Sequence, residues 1–175
     1  MTFKGLGKPT AQLNVFIENT PPLTEYQTLQ ACRPMQVGEI KTIADLTGNH
    51  WRKIFNVYAK LAFELTPTKY KTWQDFRDCA LLQNHSNENL LFNLTPQEIL
   101  QHVSNKPLLS DNISIIMGKT YATKLGFSET CHWLSAEFAV NADKKLVICP
   151  YFDYRQLSNI KITQLCQLIN ALHNK

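Results

Sequence analysis

No apolar run in this 175-residue chain approaches the roughly 18 residues that a membrane-spanning helix needs, so no span is expected. The amino terminus, MTFKGLGKPT, lacks the apolar stretch of a secretory signal. None of the five cysteines (Cys32, Cys79, Cys131, Cys149 and Cys166) forms a CxxC pair. Their number is odd and Cys79, Cys149 and Cys166 sit in apolar patterns, which fits a reduced, cytoplasmic setting better than a disulfide framework. The histidines His50, His85, His102, His132 and His173 make no i, i+4 pair and no HExxH. Cys131-His132 has no second pair at ligand spacing, so no metal is expected. There is no GxSxG elbow, and no motif calls for a cofactor. Gly118-Lys119-Thr120 follows a strand as a P-loop would, but the glycine required five residues earlier is replaced by Ile113. Without that loop there is no backbone cradle for a triphosphate; Lys119 could still touch a single phosphate.

What is present is an ordinary globular composition, 44% apolar and 18% charged, which excludes a disordered chain. A net charge of +4 leans toward anionic partners without demanding nucleic acid. The length suits one domain: residues 1–10 read as a loosely held arm and 11–175 as a single α/β domain. Four apolar runs read as strands: LNVFI from Leu13, NLLFN from Asn89, NISIIM from Asn112 and LVIC from Leu146. Between them lie helical patterns. The clearest covers 50–65, where Trp51, Ile54, Phe55, Tyr58, Leu61, Ala62 and Leu65 follow helical spacing after Asn49, an N-cap candidate. On its other face Arg52, Lys53 and Lys60 read as solvated surface. Thr95 with Glu98 forms a capping box ahead of a further helix, and the last pattern runs to about Leu172. This alternation predicts a three-layer α/β sandwich with a four-stranded, mostly parallel sheet flanked by helices.

In such a sheet ligands bind outside the carboxyl ends of the strands. The four strand-end loops there are ENTPP, NLTP, GKT and PYFDYRQ. The last is the richest, with Tyr151, Phe152, Asp153, Tyr154 and Arg155 in succession. Aromatics with arginine can stack on bases and contact phosphates. In the bland alternative two of the aromatics cap the sheet and Asp153 pairs locally with Arg155.

Taken together, VFIENTPP, LLFNLTP, IIMGKTYA and LVICPYFDYRQ resemble the loop layout of the uracil-DNA glycosylase superfamily. The resemblance implies that Asn19 or Glu18 handles the attacking water. It implies that Asn93 reads a base edge, and that Tyr151 to Arg155 press on nucleic acid. Two departures stand out: Tyr151 follows Pro150 where the family has histidine, and the first loop lacks glycine. A shared fold without excision activity is therefore implied. The chain also has the look of a bacterial protein from a family with no known activity. The leading expectation is a DNA or nucleobase ligand at the sheet edge, met by Asn93, Lys119, Tyr151, Asp153, Tyr154 and Arg155, with Arg52 adding positive charge. Two rivals use the same loops: a small-molecule or nucleotide-metabolite enzyme with Glu18 or Asp153 as base, and a protein-interaction module built on 150–156.

Overall fold

The computed structural model describes residues 2–105 and 111–174; residues 1, 106–110 and 175 lie outside the described residues. The four apolar runs form the expected parallel core: β2 (Leu13–Ile17), β4 (Glu88–Phe92), β5 (Ile113–Met117) and β8 (Leu146–Cys149). β2 pairs in parallel with β4 and β5, and β5 in parallel with β8. The sheet is larger than the four strands expected from sequence. Among the described residues it is mixed, with eight strands in the order β3-β1-β4-β2-β5-β8-β7-β6. The additions are β1 (Gly5–Gly7), β3 (Cys32–Arg33), β6 (His132–Trp133) and β7 (Ala139–Asn141). All are two or three residues long, too short to show an alternating pattern in the sequence.

Within residues 1–10, β1 is buried and runs antiparallel to β4. Glycine permits this approach. A Cβ on Gly5 would lie 2.3 Å from the Leu90 carbonyl oxygen, and one on Gly7 2.3 Å from that of Glu88.

Helices cover both faces, so the three-layer expectation holds. Successive residues of each core strand feed opposite sides, which is why the strands read as mostly apolar runs without alternation. Val15 and Ile17 of β2, with Val147 and Cys149 of β8, join one cluster. That cluster is covered by α2 (Glu39–Thr47), α3 (Asn49–Leu65), α4 (Trp73–Cys79) and α7 (Asn159–His173). Phe16, Leu146 and Ile148 join the other, under α5 (Pro96–Ser104) and α6 (Lys119–Lys124). A short helix α1 (Thr24–Gln27) precedes β3. The capping box at Thr95 and Glu98 forms as its spacing predicts. The expected cap at Asn49 shifts by one residue: Gly48 is the N-cap of α3, and Asn49 Oδ1 instead accepts from Arg52.

Glu88, at the start of β4, is buried and its Oε2 has no partner among the described residues. Burial pushes its carboxyl above the usual range, against a lesser lowering by Ser86 and nearby backbone N–H groups. The folded state therefore holds this proton more tightly than the unfolded chain, whose glutamate titrates near ~4.3. The group's contribution to stability is complete below that pH and is lost as pH rises through the raised folded value. Glu88→Gln is expected to flatten this loss. Urea titrations at pH 4.5 and 7.5 should show wild type losing more stability between the two than the variant; equal losses would refute the assignment.

Candidate functional site

The register sets the site. Phe16 lies beside Ile116, and Met117 beside Cys149, so the chain leaves β2, β5 and β8 at one level. β2 and β5 are neighbours whose onward connections run to opposite sides, to β4 and to β8. This is the switch point where an open α/β sheet leaves a crevice. A cleft of about 500 Å³ lies there, lined by Glu18, Lys119, Tyr151, Arg155, Lys161 and Glu137 among others. Gly118, with φ 97°, turns the chain from β5 into α6, and its N–H donates to the Cys149 carbonyl at 2.9 Å.

Of the residues expected at a site, Glu18, Lys119, Tyr151 and Arg155 share this cleft. Asn19 joins through Tyr151, whose hydroxyl donates to Asn19 Oδ1 at 3.1 Å. Asn93 does not line it. It follows β4, on the far side of β2, with a left-handed backbone (φ 50°) and its N–H on the Ile17 carbonyl. Asp153 and Tyr154 also lie off the cleft lining. Asp153 accepts the Arg155 backbone N–H at 3.0 Å and the Lys53 ammonium at 3.1 Å. Those two bonds, the backbone one first, hold its carboxyl below the usual range. Its expected local pairing with Arg155 is thus made to the backbone, while the ion pair goes to Lys53. Tyr154 is exposed beneath two cations, Lys53 Nζ at 5.0 Å and Arg155 Cζ at 5.9 Å from its ring centre. Phe152 is fully buried against Tyr58, with ring centres 5.6 Å apart. One aromatic of the loop therefore caps the core, one walls the cleft and one faces solvent.

Charge in the cleft is mostly positive. Glu18 pairs with Lys124 at 2.6 Å, and Glu137 with Lys161 at 2.6 Å. Lys119 donates to the Ala136 carbonyl and sits 4.5 Å from the Trp133 ring centre. Among the described residues no carboxylate pairs with Arg155. Arg52 does not add to this charge. It pairs with Asp45 and lines a separate cavity of about 510 Å³ beside α2 and α4, where Lys41 also pairs with Asp45 and Arg77 with Asp78. Burial raises the Tyr151 phenol, with Glu18 and Asp153 adding to the effect, so the hydroxyl stays protonated as a donor.

Residues the sequence reading passed over complete the site. His50 Nε2 lies 2.9 Å from the Tyr151 hydroxyl, and the two rings stack at 5.8 Å and 14°. Lys124, Glu137 and Lys161 form the outer pairs. A usable signal existed for two of these. Helices that return beside parallel strands begin over the carboxyl edge, so the first turns of α3 and α7 carry His50 and Lys161 there. Among the described residues no group of three or more His, Cys, Asp or Glu could hold a metal ion, and the five cysteines are free. Burial pushes the Cys32 and Cys166 thiols up to about 12, far from the thiolate a nucleophile needs. Among the described residues no helix is long and apolar enough to cross a membrane.

The family model for DUF6942, a family of unknown function, matches residues 4–170. The chain belongs to this family. No curated protein and no solved structure matches the chain, so the glycosylase resemblance rests on the layout of the strand-end loops alone. The match takes in the whole core from β1 to most of α7, and with it every residue of the cleft.

Proposed function

We propose that the cleft at the carboxyl ends of β2, β5 and β8 binds a nucleobase-bearing anion, either a nucleotide or one exposed nucleotide of a nucleic acid. The observation that carries this reading is the cleft itself. Its volume of about 500 Å³ falls in the range of small-ligand sites, with Tyr151 in its wall and Lys119, Arg155 and Lys161 around it. An aromatic wall suits a flat base, and the cations suit a phosphate. The concavity favours this over a flat docking patch, and the ion-paired Asp153 is poorly suited to act as the base of a metabolite enzyme. The finer reading is glycosylase-like recognition without excision: Tyr151 stands where that family has histidine, and the phenol is held protonated.

The test is binding of uridine 5′-monophosphate and of a short single-stranded oligonucleotide across a salt series. Log affinity is expected to fall linearly with log salt. Arg155→Ala, which removes a cation without a carboxylate partner, should weaken both ligands about tenfold and reduce the oligonucleotide's salt slope by about one. Absence of binding at low salt would overturn the proposal. Binding that ignores Arg155 would move the site elsewhere.

A further inference from the structure

Three residues from distant parts of the chain meet at the rim of the cleft, and their hydrogen bonds have a direction. The Tyr151 hydroxyl carries one proton and two acceptor lone pairs. It has two partners, Asn19 Oδ1 at 3.1 Å and His50 Nε2 at 2.9 Å. The Asn19 oxygen can only accept, so the phenol's single proton is committed to it. The bond to His50 then requires that His50 donate, which places the imidazole proton on Nε2. With its oxygen held by Tyr151 and no acceptor for its amide nitrogen among the described residues, Asn19 has that nitrogen left to meet a ligand. Asn19 itself is exposed and directly follows Glu18, which lines the cleft.

From this hydrogen-bonded relay we infer that Asn19 is a specificity residue that donates hydrogen bonds, selecting a ligand with a carbonyl oxygen at the strand end, and that His50 is its positioning residue, acting through Tyr151. The inference rests on the nucleotide reading of the cleft and deepens it. It also reverses the role the glycosylase layout implied for Asn19, from handling a water to reading an acceptor atom. His50 stacks its ring on the phenol ring and fixes the phenol oxygen with its Nε2, and its ring also lies 5.9 Å from that of Trp51. The uracil ring fits the demand, since its two carbonyl oxygens are acceptors.

The test has a spectroscopic arm and a binding arm. Long-range proton–nitrogen correlation spectra of the ¹⁵N-labelled protein should show His50 as the Nε2–H tautomer; the Nδ1–H tautomer would overturn the inference whatever the ligand. In the binding arm, uridine, uridine 5′-monophosphate and inorganic phosphate are titrated against wild type and variants. Asn19→Asp replaces the donor by an acceptor and should weaken uridine and uridine 5′-monophosphate alike, by about tenfold or more. Loss confined to the two phosphate-bearing probes would mean charge repulsion instead, and would overturn the donor role. His50→Phe keeps a flat ring but loses the donor, and should weaken uridine severalfold. His50→Gln restores an N–H donor and should recover most of that loss, whereas equal affinity in wild type and both variants would overturn the positioning role. If wild type binds none of the three probes, the nucleotide reading fails, and the tautomer alone decides the direction of the chain.

Discussion

Replacing Asn14 by leucine is expected to destabilise the protein by about 3–5 kcal/mol, although the two side chains are close in shape. Asn14 lies in the middle of the parallel core, in β2, and is fully buried. Its amide nitrogen donates to the carbonyls of Ala11, Gln12 and Ile113, at 3.2, 3.1 and 3.2 Å. Its oxygen accepts from Asn89 Nδ2 at 2.8 Å and meets His102 Nε2 at 3.1 Å. One side chain thus ties β2 to β4, β5 and α5 inside the core. Leucine would leave several buried polar atoms without this partner, and each such atom costs about 1–3 kcal/mol. Asn14→Asp should be worse, because a second carboxylate oxygen would face three carbonyl oxygens. The measurement is the urea midpoint at unchanged slope. A leucine variant within about 1 kcal/mol of wild type would show that the network is not structural.

Phe152→Ala is expected to cost about 3–5 kcal/mol and to disable the cleft at the same time. The ring is fully buried in the cluster beneath α3 and meets Tyr58 edge-on. Alanine leaves a cavity there, and the surrounding core relaxes only in part. Phe152 is also the anchor between Tyr151, which His50 and Asn19 hold, and Asp153, which Lys53 holds. Without it the loop loses its fully buried aromatic anchor, and affinity for uridine 5′-monophosphate should drop in protein that is still fully folded at low temperature. Phe152→Leu conserves most of the volume and should cost less than about 1.5 kcal/mol, leaving binding near wild type. If Phe152→Ala lowered stability while affinity stayed unchanged, the polar contacts alone would be placing the loop.

The parallel core was legible because strands buried on both faces are apolar at most positions. LNVFI, ISIIM and LVIC are short runs stopped by polar, glycine or proline residues. Helix α3 was legible because one stripe of it is core, and the capping box of α5 because Thr95 and Glu98 satisfy each other locally. The edge strands were not legible. Strands of two or three residues carry no period, and β1 is recruited by close approach to β4 rather than by its own apolar pattern. The buried network of Asn14 and Asn89 gave no signal either, since its members lie on different elements.

Local patterns in the chain specify the α/β class, the four parallel strands, the positions of the main helices and the loops that crown the sheet. Those features depend on local periodicity and on stop signals that act within a few residues. Which loop residues share a cleft is set by the packing of whole elements. It placed Glu18, Lys119, Tyr151 and Arg155 together and left Asn93, Asp153 and Tyr154 outside the lining. It also brought His50 to Tyr151 across 101 residues and Asn19 to Tyr151 across 132. The reason is strand order: β5 and β8 are laid beside β2 in a fixed register, and α3 returns over the same edge. Contacts at that separation depend on how whole elements pack, which no short window of sequence contains.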